Sequence, residues 1–397
     1  MPGSMISLLA LALLAGPGLG GPPPAPELRG LWVVRTALTS PQAVDDVVEQ
    51  AQRAGFNALF VQVRGRGDAF YRSALVPRSP LLERQPTAFD PLARLIERAR
   101  QQGLEVHAWV NVLLVGGFAQ PLPPGHVAAD HPEWLMVPRG SARLAVAETG
   151  SRLLQTLRQG RGDGDVEGFY LSPAAPEVGD HLERVVRELV HGYLLDGLHL
   201  DFIRYPSEDY DYSRSALEGF LARKASRGDL VLEALSDAEG FAQYRRDALT
   251  ALARRLSDAA RAERHGLVVS AAVVPEESQA VHHRFQDWPT WAARGILDAV
   301  CPMVYTPDRA VFLRQVEQAR LRVGIPVWAG VGAYRLTVAE MVERVKDARD
   351  KGAAGVVVFS HESLGPSHLL ALREQAFPRL PNRLEVKAAP SAETRLP

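Results

Sequence analysis

The sequence is short of cysteine and of net charge, and each shortage excludes a class of protein. Its 397 residues contain one cysteine, Cys301, so no disulfide can form within the chain and no cysteine-rich metal site can be built. The formal net charge is -1, which gives no basic surface field to attract nucleic acid or an anionic membrane. We therefore expect no nucleic-acid partner.

The sequence also lacks the motifs of two common groups of enzymes. Residues 65–68 (G-R-G-D) are too short for a phosphate-binding loop, and no Lys-Ser/Thr pair follows them. No G-x-S-x-G turn, which would present a nucleophilic serine, occurs in the chain. We therefore expect no cofactor.

The amino-terminal residues predict export. An apolar run over residues 6–15 is followed by Gly16 and Pro17, and this run is too short to cross a bilayer comfortably. It resembles the apolar region of a secretory signal peptide; a disordered or buried leader is the alternative. We expect residues 1–21 to be a signal peptide and residues 22–27 a proline-rich linker. The mature protein would then be periplasmic or secreted, with no integral membrane span. Residues 379–397 show no apolar period and are expected to be a disordered tail.

Between these ends, short apolar strands alternate with amphipathic helices. The strand patterns are continuous valine-rich runs, which are typical of parallel strands buried on both faces. They lie at residues 28–36, 56–64, 104–111, 196–206, 267–274, 299–305, 326–331 and 355–359. Eight strands, nearly all followed by a helix, predict one (β/α)8 barrel over residues 28–378. An open doubly wound sheet is the alternative, but residues 35–38 (R-T-A-L) are not the glycine-rich turn that such a sheet carries after its first strand.

The alternation is interrupted over residues 113–175, between the third and fourth strands. A connection of this length is usually functional or flexible, so we expect a long insertion here. Within it, residues 151–157 and 167–171 flank a turn-rich stretch. This pattern favours a small hairpin.

The fourth strand carries the strongest catalytic candidate. Residues 196–206 read D-G-L-H-L-D-F-I-R-Y-P, and a period of two places His199 and Asp201 on one face and the leucines on the other. The carboxyl ends of parallel strands meet at one end of a barrel, the mouth, where chemistry is carried out. We therefore predict that Asp201 is catalytic, as nucleophile or transition-state stabiliser. The alternative is a structural carboxylate paired with Arg64 or Arg204. His199 lies deeper and is expected to be a core residue.

The other strand ends supply carboxylates, aromatic rings, arginine and asparagine. Paired carboxylates suit the cleavage of glycosidic bonds, and aromatic faces suit the apolar faces of sugar rings. Glu276, after the fifth strand, is the second catalytic candidate, and a solvated loop glutamate is its alternative interpretation; Glu362 and Asp308 are alternative candidates for the same role. The predicted substrate-binding residues, each with a structural alternative such as an ion pair, a loop cap or barrel filling, are Arg64, Asp68, His107, Asn111, Arg204, Tyr305, Trp328 and Glu362.

Several motifs, taken in order, resemble a known family. They are L-R-G-L-W-V (28–33), N-A-L-F-V-Q-V-R-G-R-G-D-A-F-Y (57–71), H-P-E-W-L (131–135), F-Y-L-S-P-A-A-P-E-V (169–178), the fourth-strand motif, and C-P-M-V-Y (301–305). Together they are similar to the barrel domain of glycosyl hydrolase-like family 10, over about residues 27–377. The resemblance implies a bacterial glycoside-hydrolase-type barrel, usually exported and acting on glycans, with cell-wall glycan as one target class.

Three functional hypotheses follow. The first is a glycoside hydrolase that uses Asp201 and a second carboxylate. The second is a metal-dependent hydrolase with the ligands His107, His199, Asp201 and His361, although the first strand has no His-x-His and the histidines lack tight ligand spacing. The third is a catalytically silent glycan-binding barrel. It is favoured by Phe202, which stands where the family pattern often has a second aspartate.

Overall fold

A computed structural model describes residues 27–159 and 166–377, and a closed barrel of parallel strands forms its centre. The strands are β1 (Leu28–Val33), β2 (Ala58–Arg64), β3 (Glu105–Asn111), β4 (Leu114–Gly116), β5 (Phe169–Tyr170), β6 (Gly197–Asp201), β7 (Val268–Val273), β8 (Ala299–Val304), β9 (Trp328–Gly332) and β10 (Gly355–Phe359). Eight of them close the barrel in the order β1-β2-β3-β6-β7-β8-β9-β10, and β10 pairs with β1. The predicted (β/α)8 barrel is confirmed.

Helices surround the barrel and fill the segment between β3 and β6. They are α1 (Pro41–Ala54), α2 (Pro91–Gln101), α3 (Val127–Asp130), α4 (Ala142–Ala147), α5 (Gly150–Gln159), α6 (Pro176–Gly192), α7 (Arg214–Lys224), α8 (Leu230–Ser236), α9 (Ala238–Glu263), α10 (Trp288–Ala293), α11 (Arg309–Arg322), α12 (Val338–Asp350) and α13 (Pro366–Ala371). Short polar side chains cap several of them. Ser40 and Asp90 accept hydrogen bonds from first-turn N–H groups of α1 and α2, and Thr337 and Glu340 form a capping box on α12. Each cap satisfies a backbone donor that the first helical turn leaves unpaired.

Large rings fill the inside of the barrel. The Phe60 ring lies 4.6 Å from His107, 5.8 Å from Trp328 and 6.2 Å from Trp32, measured between ring centroids. All four side chains are almost fully buried. The interior is therefore a packed core below the mouth, as expected for a barrel of this strand number.

The segment between β3 and β6 does not contain the predicted hairpin. Residues 150–159 form helix α5, and β5 pairs with β4 in an antiparallel two-stranded sheet. The hairpin prediction was wrong because Leu153 and Leu157 are four residues apart, and both are buried on one face of α5. That spacing is the helical period rather than the strand period.

The two-stranded sheet extends the barrel ladder above the mouth. Val112 N–H donates to the Asp201 carbonyl at 2.8 Å, and Leu113 N–H donates to the Phe202 carbonyl at 3.3 Å. Leu171 N–H then donates to the Leu113 carbonyl at 2.8 Å. These bonds continue the β3–β6 pairing past the rim and attach β5 beside it.

The predicted signal peptide, most of the predicted linker and the predicted tail lie outside the described residues, so these remain predictions. Within residues 27–159 and 166–377, no helix combines the length and the apolar character needed to cross a membrane.

The buried face of β6 gives a test of the fold. Leu198 is 0% exposed, whereas Leu321, on α11, is 69% exposed. We expect Leu198→Ala to lower the free energy of unfolding by about 2–5 kcal/mol, because it leaves a cavity in the core. The matched Leu321→Ala change should stay within about 0.5 kcal/mol of wild type. Chemical denaturation measures both, and equal losses would contradict the described burial.

Candidate active site

Asp201 ends β6 at the mouth of the barrel and is held by three donors. Trp109 Nε1–H donates to Oδ2 at 3.0 Å, and Phe202 N–H donates to Oδ1 at 2.6 Å. Arg204 Nη1 lies 3.4 Å from the same Oδ1. The residue is only 6% exposed, so these donors replace the water that would otherwise solvate the carboxyl group.

Burial raises the pKa of Asp201 above its ordinary value. Removal from water penalises the charged carboxylate, and the charge of Glu167 acts in the same direction. Arg204, the Phe202 N–H and Trp109 oppose the increase by stabilising the anion, but desolvation is the largest contribution. The carboxyl group can therefore hold a proton at higher pH than an exposed aspartate can.

Phe202, directly after Asp201, adopts a backbone conformation that is rare for a residue with a side chain. Its φ is 48°, in the left-handed region, and such conformations cost about 1–3 kcal/mol. The Arg204 guanidinium carbon lies 4.2 Å from the centre of the Phe202 ring, within range of a cation–π contact. Strained residues of this kind cluster at functional sites, so Phe202 marks the rim of the candidate site.

A second carboxylate, which the sequence analysis missed, approaches the same arginine. Glu167 Oε1 lies 3.6 Å from Arg204 Nη2, and the Tyr170 hydroxyl donates to Glu167 Oε2 at 2.6 Å. Glu167 lies just before β5, a strand of two residues. Such a short strand has no detectable period, and only its pairing with β4 brings Glu167 to the mouth.

Three aromatic rings form a cluster at the mouth. Tyr305 directly follows β8, Tyr334 lies in the turn after β9, and Phe359 ends β10. Tyr305 stacks on Phe359 at 5.3 Å, and Tyr334 lies 6.1 Å from Tyr305 and 6.0 Å from Phe359. Tyr334 is 50% exposed, so the cluster can offer a ring to a ligand. Burial raises the pKa of Tyr305, and the nearby Cys301 and Asp201 add to the increase. Tyr305 directly follows β8 at the carboxyl end of that strand, and its role in binding substrate remains a prediction.

Polar side chains line the rim on the opposite strands. Gln62 Nε2 donates to Asn111 Oδ1 at 3.3 Å, and Arg35 Nη1 donates to Gln62 Oε1 at 2.9 Å. Asn111 pairs in register with Asp201. Arg35 and Asp68 also line a neighbouring cleft of about 230 Å³. Asn111 thus lies at the level of Asp201, and Asp68 accepts a hydrogen bond from Arg66 N–H at 3.0 Å in the turn after β2.

Three residues predicted to bind substrate have buried side chains. His107 is stacked on Phe60 with its Nε2 3.6 Å from Glu105, and Trp328 packs edge-on against both rings. Arg64 is 0% exposed and donates from Nη1 to the Asn111 and Val112 carbonyls. Their burial favours the structural alternatives, which are barrel packing for His107 and Trp328 and a backbone contact for Arg64. Alternation placed them correctly toward the interior or the rim, but depth in the barrel depends on strand register.

The predicted second catalytic carboxylate, Glu276, lies in a loop. Its oxygens accept hydrogen bonds from Ser278 N–H at 3.2 Å and Gln279 N–H at 2.7 Å. The residue lines a cleft whose other wall includes Arg322 of the outer helix α11. Among the described residues, no contact links Glu276 with Asp201. Its placement matches the solvated-loop alternative.

Glu362 lies on the exposed rim, and His199 lies inside the barrel. Glu362 Oε1 accepts a hydrogen bond from the Thr36 hydroxyl at 3.3 Å on the exposed rim. His199 lies below the mouth, where Trp32 Nε1–H donates to its Nε2 at 3.3 Å and its Nδ1 lies 2.9 Å from Ser270 Oγ. Burial lowers the pKa of His199 to about 3, so this imidazole is neutral and belongs to the core.

The four residues of the metal hypothesis are not grouped. Across residues 27–159 and 166–377, no set of three or more His, Cys, Asp or Glu side chains is arranged to hold a metal ion. His107 and His199 are engaged in ring packing inside the barrel. The arrangement at the mouth instead offers two carboxyl groups, an arginine and aromatic rings.

Known structures share this barrel. The glycoside hydrolase domain of PgaB (BpsB) from Bordetella bronchiseptica superposes with a TM-score of 0.67 at 14% identity, covering 89% of this chain and all of that domain. Alpha-L-fucosidase isoenzyme 2 from Paenibacillus thiaminolyticus superposes with a TM-score of 0.59 at 16% identity, covering 91% of this chain and 49% of that one. At these identities the likeness shows the fold.

Sequence comparison identifies relatives and a family. Glycosyl hydrolase YngK of Bacillus subtilis is 26% identical over 301 residues, which cover 70% of this chain and 51% of that protein. Glycosyl hydrolase DigH of Escherichia coli is 24% identical over 344 residues, which cover 73% of this chain and 70% of that protein. This chain thus spans about half the length of the Bacillus relative. The family model described as Glycosyl hydrolase-like 10 matches residues 27–329, which is most of the chain and includes Asp201. The chain therefore belongs to the Glycosyl hydrolase-like 10 family.

Proposed function

We propose that the protein hydrolyses glycosidic bonds in a glycan, with Asp201 as the proton donor. The observation that carries this proposal is a buried carboxyl group with a raised pKa at the mouth of a barrel. Cleavage of a glycosidic bond needs a carboxylic acid that still holds its proton near neutral pH. This assignment differs from the nucleophile or stabiliser role predicted from sequence, because burial favours the neutral acid.

The three donors around Asp201 suit the step in which it loses its proton. As the glycosidic C–O bond breaks, the proton passes from the carboxyl group to the leaving oxygen, and the residue becomes a carboxylate. Trp109 Nε1–H, Phe202 N–H and Arg204 already point at its oxygens. Donors fixed in advance around a developing charge stabilise the transition state without reorganising.

The aromatic rings at the mouth support a sugar ligand. Sugar rings have apolar faces that stack on aromatic side chains and hydroxyl groups that need polar partners. Tyr334 and Phe359 provide the rings beside Tyr305, and Glu167 provides an exposed polar group. Relatives named as glycosyl hydrolases and the glycoside hydrolase domain from Bordetella support the same substrate class for this chain.

The target and the location are part of the proposal. Bacterial cell-wall glycan is the substrate class that the family resemblance implies, and the apolar run over residues 6–15 supports export to the compartment where that glycan lies. We propose that the mature protein acts there.

A catalytically silent glycan-binding barrel is the second candidate. It is favoured by Phe202, because the family pattern often has a second aspartate at this position. The Phe202 ring is covered by the Arg204 guanidinium. In such a protein the aromatic rings would bind sugar, while Asp201 would serve only to hold Trp109 and Arg204.

Removal of the proton donor separates these candidates. We expect Asp201→Asn to reduce hydrolysis by about 10²–10⁴-fold, the usual contribution of general acid catalysis. The matched Asp258→Asn change, on the exposed face of α9, should leave the rate unchanged. Release of reducing ends from peptidoglycan glycan strands and common β-glucans measures both variants. Cleavage by Asp201→Asn at the wild-type rate would exclude Asp201 as the acid, and sugar binding without cleavage by wild type would support the silent barrel.

The raised pKa of Asp201 also predicts a pH dependence of stability. In the unfolded chain Asp201 loses its proton near pH ~3.9, whereas the folded protein retains it to higher pH. Over that interval the folded state binds more protons than the unfolded state, so the contribution of Asp201 to stability falls as pH rises. The asparagine side chain of the Asp201→Asn variant cannot ionise. The free energy of unfolding of this variant, minus that of wild type, should therefore increase as the pH rises above about 4. Urea denaturation at several pH values measures it, and a constant or decreasing difference would contradict the raised pKa.

A further inference from the structure

We infer that Glu167 is the second carboxylate of the reaction, acting as the general base that activates water. This inference rests on the proposed hydrolysis and adds to it a residue that no barrel strand carries. Glu167 lies just before β5, in the segment between β3 and β6. Its side chain is 39% exposed, so solvent water reaches its oxygens.

Arg204 lies between the two carboxyl groups and contacts both. Arg204 Nη1 lies 3.4 Å from Asp201 Oδ1, and Arg204 Nη2 lies 3.6 Å from Glu167 Oε1. Both groups thus face the same end of the mouth with a guanidinium between them. Carboxyl groups that are held apart leave room for a water molecule beside the sugar, which is the arrangement of inverting glycosidases at about 6.5–9.5 Å.

Two hydrogen bonds and a close backbone approach fix the position of Glu167. The Tyr170 hydroxyl donates to Oε2 at 2.6 Å, and Arg66 Nη1 donates to the Glu167 carbonyl at 3.2 Å. The next residue is Gly168, with φ of 154°, and a Cβ there would overlap the Gly116 carbonyl oxygen. Only glycine allows the chain before β5 to approach β4 this closely, and this approach brings Glu167 over the mouth.

The two carboxyl groups lie in opposite environments. Asp201 is buried, and its pKa is raised. Glu167, by contrast, has a side chain that is 39% exposed, so solvent water reaches its oxygens. A buried acid paired with a solvated carboxylate is the division of roles expected of a general acid and a general base.

The proposed step balances as a single displacement. Glu167 takes one proton from water, and the water oxygen bonds to the anomeric carbon as the glycosidic C–O bond breaks. The bond electrons pass to the leaving oxygen, which takes the proton of Asp201. The products are one sugar with a new anomeric hydroxyl of inverted configuration and one sugar with a free hydroxyl.

The test compares Glu167→Gln with Asp201→Asn on the glycan that wild type cleaves. We expect both variants to lose about 10²–10⁴-fold in rate, while Glu97→Gln, a matched change on the exposed face of α2, stays at the wild-type rate. If Asp201→Asn loses activity and Glu167→Gln retains the wild-type rate, the inference is overturned and the proposed function stands. If wild type cleaves no glycan, the proposed function fails and the inference fails with it.

Two further measurements separate a base from a residue that only holds the fold. Azide can replace activated water as the nucleophile, so sodium azide should restore turnover to Glu167→Ala and yield a glycosyl azide, but it should not restore Asp201→Asn. Proton NMR of the first product of wild type should show inversion at the anomeric carbon. Retention of configuration, or no azide rescue of a folded Glu167→Ala protein, would overturn the assignment.

Discussion

The hydrogen bond from Val112 N–H to the Asp201 carbonyl, 2.8 Å long, is the contact on which the rest of the site depends. It continues the β3–β6 pairing beyond the barrel, and the following bonds of Leu113 and Leu171 attach β5 to that extension. Backbone groups buried at this rim need partners, so the ladder sets the position of the elements above the mouth. Through it, the segment between β3 and β6 delivers Glu167 and Tyr170 to Arg204.

Opposing electrostatic effects act on Asp201 in this setting. Burial favours the protonated acid, whereas Trp109, Phe202 N–H and Arg204 stabilise the carboxylate that forms after proton transfer. A site with burial alone would hold the proton too firmly, and a site with the donors alone would lose it too early. Arg204 lies between the buried Asp201 and the more exposed Glu167 and contacts both carboxyl groups.

Much of the barrel could be predicted from the sequence because its signals are local. Valine-rich runs mark the strands, Ser40, Asp90 and Thr337 mark helix starts, and alternation in β6 directs Asp201 inward. The depth of His107 and Trp328 could not be predicted, because it depends on the register between neighbouring strands.

The position of Glu167, the second carboxylate, could not be predicted from the sequence for a related reason. The two-residue strand β5 has no period, and its pairing with β4 joins segments that lie far apart in the chain. Glu276, by contrast, follows a clear strand, but its loop turns outward and uses the carboxylate to bind Ser278 and Gln279. A position after a strand end therefore predicts a mouth residue only when the first residues of the loop stay over the barrel.

The central claim is that Asp201 faces the bond to be broken. A crystal structure of the Asp201→Asn protein with an oligosaccharide of its substrate bound tests this most directly. We expect a sugar stacked on the Tyr305, Tyr334 and Phe359 cluster, with a glycosidic oxygen within hydrogen-bond distance of the substituted side chain. A well-ordered sugar bound with its glycosidic oxygens out of reach of that side chain would contradict it.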